Sequence, residues 1–153
     1  MSTSTSSHAY GIGVIALIIA MSVSFVFYTS FYVPESLAKP SVSEHILNPE
    51  LDFIIEIVPG AVIDGNENYV PNSPTAFLTI NNKVIWQNND DTAHTVTPDH
   101  RTSDAYSGDF GSIGVIKPGE SFEFLFTDAQ EILYHCEPHP WMTGKISIDL
   151  SRF

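Results

Sequence analysis

Within seven residues the chain places a thiol, an imidazole and a thioether: Cys136, His139 and Met142, at C-x2-H-x2-M spacing inside Tyr134-His135-Cys136-Glu137-Pro138-His139-Pro140-Trp141-Met142. These are soft and borderline donors, suited to Cu(I) and tolerated by Cu(II). A distant histidine would complete a trigonal plane of two His and one Cys, with the thioether as a long axial ligand, an arrangement that moves single electrons. His94, in Asn88-Asn89-Asp90-Asp91-Thr92-Ala93-His94-Thr95-Val96, follows a strand and a polar turn, where a rigid sheet edge can hold a ligand. Zinc also accepts Cys and His, but a structural zinc site wants four strong donors. With a single cysteine, and a thioether for the fourth donor, the set fits one Cu(II)/Cu(I) ion better.

Each candidate has a plainer reading. Cys136 could be a buried thiol or a nucleophile with a His base, Met142 core filler, and His94 a satisfied core histidine. Pro138 and Pro140 flank His139, fix their φ angles and remove two N–H groups, which stiffens the loop and limits hydrogen bonds to the sulfur. Trp141 either packs simply or rims the site. His135 adjoins Cys136 on a strand, so its side chain points to the opposite face. His100 falls in a polar loop, and His8 and His45 lie outside the expected domain. A lone cysteine forms no intramolecular disulfide, and a bound metal would protect its thiol from oxidation.

The elements that must position these residues are strands. Leu51–Val58 reads as a first strand, stopped by Pro59-Gly60. Residues 61–75 read as a long polar loop. Ala76–Ile80 and Lys83–Gln87, separated by Asn81-Asn82, read as two strands around a tight turn. Ala93–Thr97 is a short strand, residues 98–111 a polar loop, and Lys117-Pro118-Gly119-Glu120 a turn. Phe122, Phe124 and Phe126 share one face at period two. Ile132–Cys136 and Gly144–Leu150 close the domain, with Ile146, Ile148 and Leu150 facing one way. Seven or eight short strands punctuated by Pro and Gly predict an all-β fold, a Greek-key β-sandwich.

Charge divides the chain before any motif does. Residues 1–34 carry no Asp, Glu, Lys or Arg; all 18 acidic and 6 basic residues lie from Glu35 onward, for a net charge of -12. That balance argues against a nucleic-acid partner, which needs clustered Lys and Arg. Residues 1–9 form a Ser/Thr-rich lead. Residues 10–33 form an uncharged run that would span about 36 Å as a helix at ~1.5 Å per residue, enough for a bilayer core of about 30 Å. Its ends carry Tyr10, Tyr28, Phe31 and Tyr32, which suit membrane interfaces, and Pro34 is expected to end it. The run reads as a single-pass transmembrane anchor in preference to a cleaved signal, because the lead has no Lys or Arg and the run exceeds an ordinary signal core. Residues 34–49, with three prolines, read as a linker, and residues 50–153 as the folded domain.

The last 70 residues resemble the cupredoxin (type 1 blue copper) family, in particular its amicyanin and plastocyanin type. The resemblance rests on His94-Thr95-Val96, on Val115–Phe122, and on Tyr134–Met142 followed by Thr143-Gly144-Lys145-Ile146. The anchor and linker are similar to those of membrane-tethered archaeal copper proteins. Thr95 stands where plastocyanins usually carry Asn, and Thr127–Glu131 stands where the family often has a Pro-Gly turn. The resemblance implies copper held by His94, Cys136, His139 and Met142, with Thr95 beside them and Pro138, Pro140 and Trp141 around an electron port at His139. It implies a carrier of single electrons between redox partner proteins on the extracytoplasmic side of the cell membrane. A carrier is favoured over an enzyme. The alternatives are a copper centre with an open axial position acting on nitric oxide or nitrite, and a copper delivery or storage protein. The six histidines form no His-x-His pair, which excludes a multicopper oxidase, and one cysteine excludes a binuclear centre built on two.

Overall fold

The computed structural model describes residues 5–38 and 40–150. The first four residues of the expected lead, residue 39 of the linker and the last three residues lie outside the described residues.

The chain divides into two units, the second beginning at Pro40. The first is helical: α1 (Thr5–Phe27), one π turn (Tyr28–Tyr32) and α2 (Val33–Ser36) run on without a break. Helix therefore begins inside the expected lead. The expectation that Pro34 ends the helix is corrected: the candidate span runs from Tyr10 to Ser36. A proline crowds the carbonyl four residues before it. Here the π turn opens the spiral ahead of Pro34, and the Val33 N–H reaches back five residues to the Tyr28 carbonyl.

The second unit is a sandwich of two four-stranded sheets. One has the order β2-β1-β4-β8, built from Tyr69–Val70 (β2), Asp52–Ile57 (β1), Lys83–Asn88 (β4) and Ser121–Leu125 (β8). The other has the order β3-β10-β9-β5, built from Thr75–Phe77 (β3), His139–Asp149 (β10), Gln130–Cys136 (β9) and Thr97–Pro98 (β5). A small hairpin, β6 (Ser103–Asp104) with β7 (Gly108–Asp109), lies within the polar loop at 98–111. Period-two patterning aims the core residues inward. Ile55 and Ile57 of β1, Val84 and Trp86 of β4, and Ile132, Tyr134 and Cys136 of β9 are all buried. Each large apolar side chain so buried contributes about 1.5–3 kcal/mol. Trp86 sits among Phe110, Phe122 and Tyr134, with ring centroids 5.4–5.7 Å away. Phe124 and Phe126 are buried and Phe122 packs against the core, as their shared face predicts. Leu150 departs from its expected face: β10 ends at Asp149, and Leu150 is exposed.

The hairpin expected around Asn81-Asn82 does not form. β3 pairs parallel with β10, whereas β4 pairs parallel with β1 and antiparallel with β8, so the turn carries the chain from one sheet to the other. Side chains fix this corner. Asn81 Oδ1 accepts the Phe77 N–H at 2.7 Å, and Asn82 Oδ1 accepts the Thr79 N–H at 3.0 Å. Thr79 takes a left-handed φ of 72°. Asn82, fully buried, donates to the Phe126 carbonyl at 2.6 Å and to the Ile46 carbonyl at 2.9 Å. Ile46 belongs to α3 (Glu44–Leu47), one turn of helix within the expected linker, and packs against the core.

Asp104 ties the β6–β7 loop to the end of β8. Its Oδ1 accepts the Tyr106 and Ser107 N–H groups at 2.9 Å and the Thr127 hydroxyl at 2.7 Å, while Oδ2 accepts the Thr127 N–H at 2.6 Å. Burial alone would push the carboxyl up; these four donors outweigh it and hold it below its usual range. A folded-state depression stabilises the protein above the unfolded carboxylate pKa of about 3.9, and the stabilisation disappears as pH falls through the folded value. Asp104→Asn is expected to cost about 2 kcal/mol at pH 7, in the range for hydrogen bonds to a charged group. The cost should shrink as the pH is taken below the carboxylate range. Urea unfolding of both proteins across that range, followed by tryptophan fluorescence, checks this; a pH-independent difference would contradict it.

Candidate metal centre

Three elements converge on the site. β9 delivers Cys136 at its last position, and β10 begins with His139, paired with Cys136 across the Glu137-Pro138 turn. The register then shifts between His139 and Thr143, an irregularity that spans the ligand loop. His94 comes from outside the named strands. It exchanges backbone hydrogen bonds with Ile116, His94 N–H to Ile116 O at 3.1 Å and Ile116 N–H to His94 O at 2.7 Å, forming an isolated bridge. The short strand expected at Ala93–Thr97 is thus this bridge followed by β5.

The ligand atoms form a small triangle. Cys136 Sγ lies 3.6 Å from His94 Nδ1 and 3.5 Å from His139 Nδ1, and the two Nδ1 atoms are 3.2 Å apart. The point equidistant from all three is about 2.0 Å from each. That is comparable to the ~2.0–2.1 Å of zinc–imidazole bonds and inside the ~2.3 Å of zinc–thiolate bonds. The cluster therefore fits a first-row transition metal with little adjustment, and its one thiolate and two imidazoles suit copper. His94 and Cys136 are fully buried and His139 is partly exposed.

Thr95 stitches the ligands together. Its N–H donates to Cys136 Sγ at 3.3 Å, and its hydroxyl oxygen accepts the Glu137 N–H at 2.8 Å and the Thr97 hydroxyl at 3.1 Å. Among the described residues it supplies the one backbone N–H to the sulfur. Burial would push the Cys136 thiol up; the hydrogen bonds from His94 and from Thr95 outweigh it and bring it down. Burial would likewise hold His94 down, but its bonds to Cys136 and Asp90 raise it. For His139 burial dominates and, with the nearby His94, lowers it.

The remaining candidates fall in graded positions. Met142 is fully buried on the inward face of β10, alternating with Gly144, Ile146 and Ile148. Pro138 and Pro140 are exposed, and Trp141 is 40 % exposed with its ring 5.5 Å from that of His139. His135 faces away from the cluster, its Nδ1 2.6 Å from Asp99 Oδ1. His100 is exposed.

Sequence reasoning missed Asp90. Its side chain is 1 % exposed and its Oδ2 lies 2.8 Å from His94 Nε2. Burial would push this carboxyl up, yet the Gly60 N–H and His94 hold it below its usual range. The available signal was the four-residue spacing between Asp90 and His94 in a turn otherwise read as solvated.

Residues 64–149 match the model of the copper binding proteins of the plastocyanin/azurin family. Amicyanin from Paracoccus denitrificans is 24 % identical over 94 residues, 61 % of this chain and 70 % of that protein. Two solved structures share the fold. A purple cupredoxin from Nitrosopumilus maritimus superposes with a TM-score of 0.51 at 24 % identity, covering 63 % of this chain and 99 % of that one. A copper-containing nitrite reductase from Thermus scotoductus gives 0.51 at 18 %, covering 72 % of this chain and 27 % of that one. The match over more than half the chain, on a sandwich that gathers His94, Cys136 and His139 into a site for one copper ion, makes this chain a member of the plastocyanin/azurin family of copper-binding proteins.

Proposed function

We propose that this protein is a type 1 copper electron carrier, tethered by its N-terminal helix with the copper domain on the extracytoplasmic side, and exchanging single electrons with redox partner proteins. The observation that carries the reading is the convergence of Cys136 Sγ with two imidazole Nδ1 atoms within 3.6 Å of one another. His94, Cys136 and His139 would hold the ion, with the thioether of Met142 as a fourth donor. Copper bound there would supply a one-electron Cu(II)/Cu(I) couple. The protein's part is to keep the donors still as the charge on the metal changes. His94 is pinned through the Ile116 bridge and Cys136 through Thr95. The partly exposed His139, beside Pro138, Pro140 and Trp141, is the port through which electrons pass.

Full-length protein in detergent, loaded with Cu(II), is expected to show an intense thiolate-to-copper band in the visible range and a mononuclear copper EPR signal. Azide, nitrite and nitric oxide should leave both unmoved, because the buried Met142 would complete the donor set. A band that shifts or bleaches on these additions would mean an open axial site and small-molecule chemistry. Ready loss of copper to a mild chelator would mean delivery instead.

A further inference from the structure

We propose that Asp90 is a positioning residue of the copper centre, fixing the proton of His94 on Nε2, turning Nδ1 toward the metal, and favouring the oxidised ion with its charge. The inference rests on the reading of His94 as a copper ligand. Both partners are inaccessible to water, with His94 at 0 % and Asp90 at 1 % side-chain exposure, and Oδ2 is 2.8 Å from Nε2. An ionised carboxylate only accepts hydrogen bonds, so the shared proton belongs to Nε2 and the Nδ1 lone pair is left for a metal. Nδ1 is the atom that faces Cys136 and His139.

The carboxylate is itself held. Its Oδ1 accepts the Gly60 N–H at 2.8 Å, at a turn where Gly60 has a φ of 84°. The Asp90 N–H donates to Asn88 Oδ1 at 2.9 Å. Asn88, fully buried at the end of β4, donates in turn to the Thr92 carbonyl at 2.8 Å and the Ile116 carbonyl at 2.9 Å. Ile116 is the bridge partner of His94, so one network fixes the backbone and the imidazole of the same residue. Outer hydrogen-bond partners of this kind orient metal-bound imidazoles and raise their basicity. No comparable lock acts on His139: among the described residues its hydrogen-bonding contacts run only from Nδ1 to Cys136 and His94. A fixed negative charge beyond His94 stabilises the more positive Cu(II), and so lowers the reduction potential.

The test compares copper-loaded, full-length Asp90→Asn and Asp91→Asn. Asp91 carries the same charge one residue on, but is exposed. Asp90→Asn removes the charge and can still accept from Nε2 through its single amide oxygen, giving up the bond from the Gly60 N–H. It should retain the thiolate band and shift the Cu(I)/Cu(II) preference about tenfold toward Cu(I), which is about 59 mV upward for one electron. Asp91→Asn should move the potential far less. Asp90→Ala should also weaken copper binding, in the 10–100-fold range usual for lost outer partners. Equal potentials in Asp90→Asn and Asp91→Asn, beside a normal wild-type band, would overturn this proposal alone. Absence of the band from wild type would overturn the copper reading and this proposal with it.

Discussion

Cys136→Ser is expected to abolish the intense visible band of the copper-loaded protein and to weaken copper binding by about two orders of magnitude. The substitution preserves shape. A hydroxyl takes the place of the sulfur, within reach of the Thr95 N–H and of both imidazoles, which now meet Sγ at 3.3–3.6 Å. What is lost is the anion: the structure draws the thiol toward ionisation through His94 and Thr95, whereas a serine hydroxyl does not ionise under the same conditions. A structural metal in a small four-donor site contributes roughly 10–16 kcal/mol in apparent terms, so one donor in four accounts for about 3 kcal/mol, or about a hundredfold. The loss should be larger for Cu(I), which prefers soft ligands. Competition titration with a chelator of known affinity measures it in both oxidation states. Copper binding and a visible band unchanged in Cys136→Ser would place the metal elsewhere.

The His94–Cys136–His139 cluster was legible because it is mostly local. Cys136 and His139 lie three residues apart, and neither strand pairing nor sheet order had to be known to see them. His94 was legible because a lone histidine after a strand and a polar turn has few rivals in this chain. The strands were legible wherever one face is buried, as in β1, β8 and β10. What the pattern did not carry is which strands pair. Two apolar runs around Asn81-Asn82 look like a hairpin locally, and only the buried Asn82, bound to carbonyls 36 and 44 residues away, makes the turn a corner between sheets. Asp90 and Asp104 were illegible for a related reason. A carboxylate in a polar turn reads as solvated, and its burial depends on donors such as Gly60 and Thr127 that arrive from elsewhere in the chain. Pro34 misled because a proline rule treats the helix as ideal, while one π turn ahead of it let the helix continue.

Gly144→Ala is expected to destabilise the protein by about 3 kcal/mol, the upper part of the range for forcing an extra carbon into a packed core, and to perturb the copper spectrum as well. Gly144 pairs with Tyr134 across β10 and β9, and the tyrosine ring lies over it. A Cβ at 144 would stand 2.5–2.6 Å from the Cζ, Cε2 and hydroxyl oxygen of Tyr134, closer than real contacts allow. The ring has little room to retreat: Tyr134 is fully buried, with the Tyr69 ring 5.0 Å away and the Trp86 ring 5.7 Å away. Displacement would pass to Tyr69, whose hydroxyl donates to the Thr95 carbonyl at 2.6 Å, and Thr95 holds the Cys136 sulfur. Gly144 also stands two residues from Met142, as Tyr134 does from Cys136, so both strands of the ligand loop feel the change. The cause can be separated from a general intolerance of alanine by a double-mutant cycle. In a Tyr134→Leu background, which removes the ring edge, Gly144→Ala should cost under about 1 kcal/mol, in line with the smaller penalty of tolerated core swaps. Urea unfolding of the four proteins measures the coupling. An equal cost in both backgrounds would mean that the glycine serves the backbone of β10 and not the tyrosine over it.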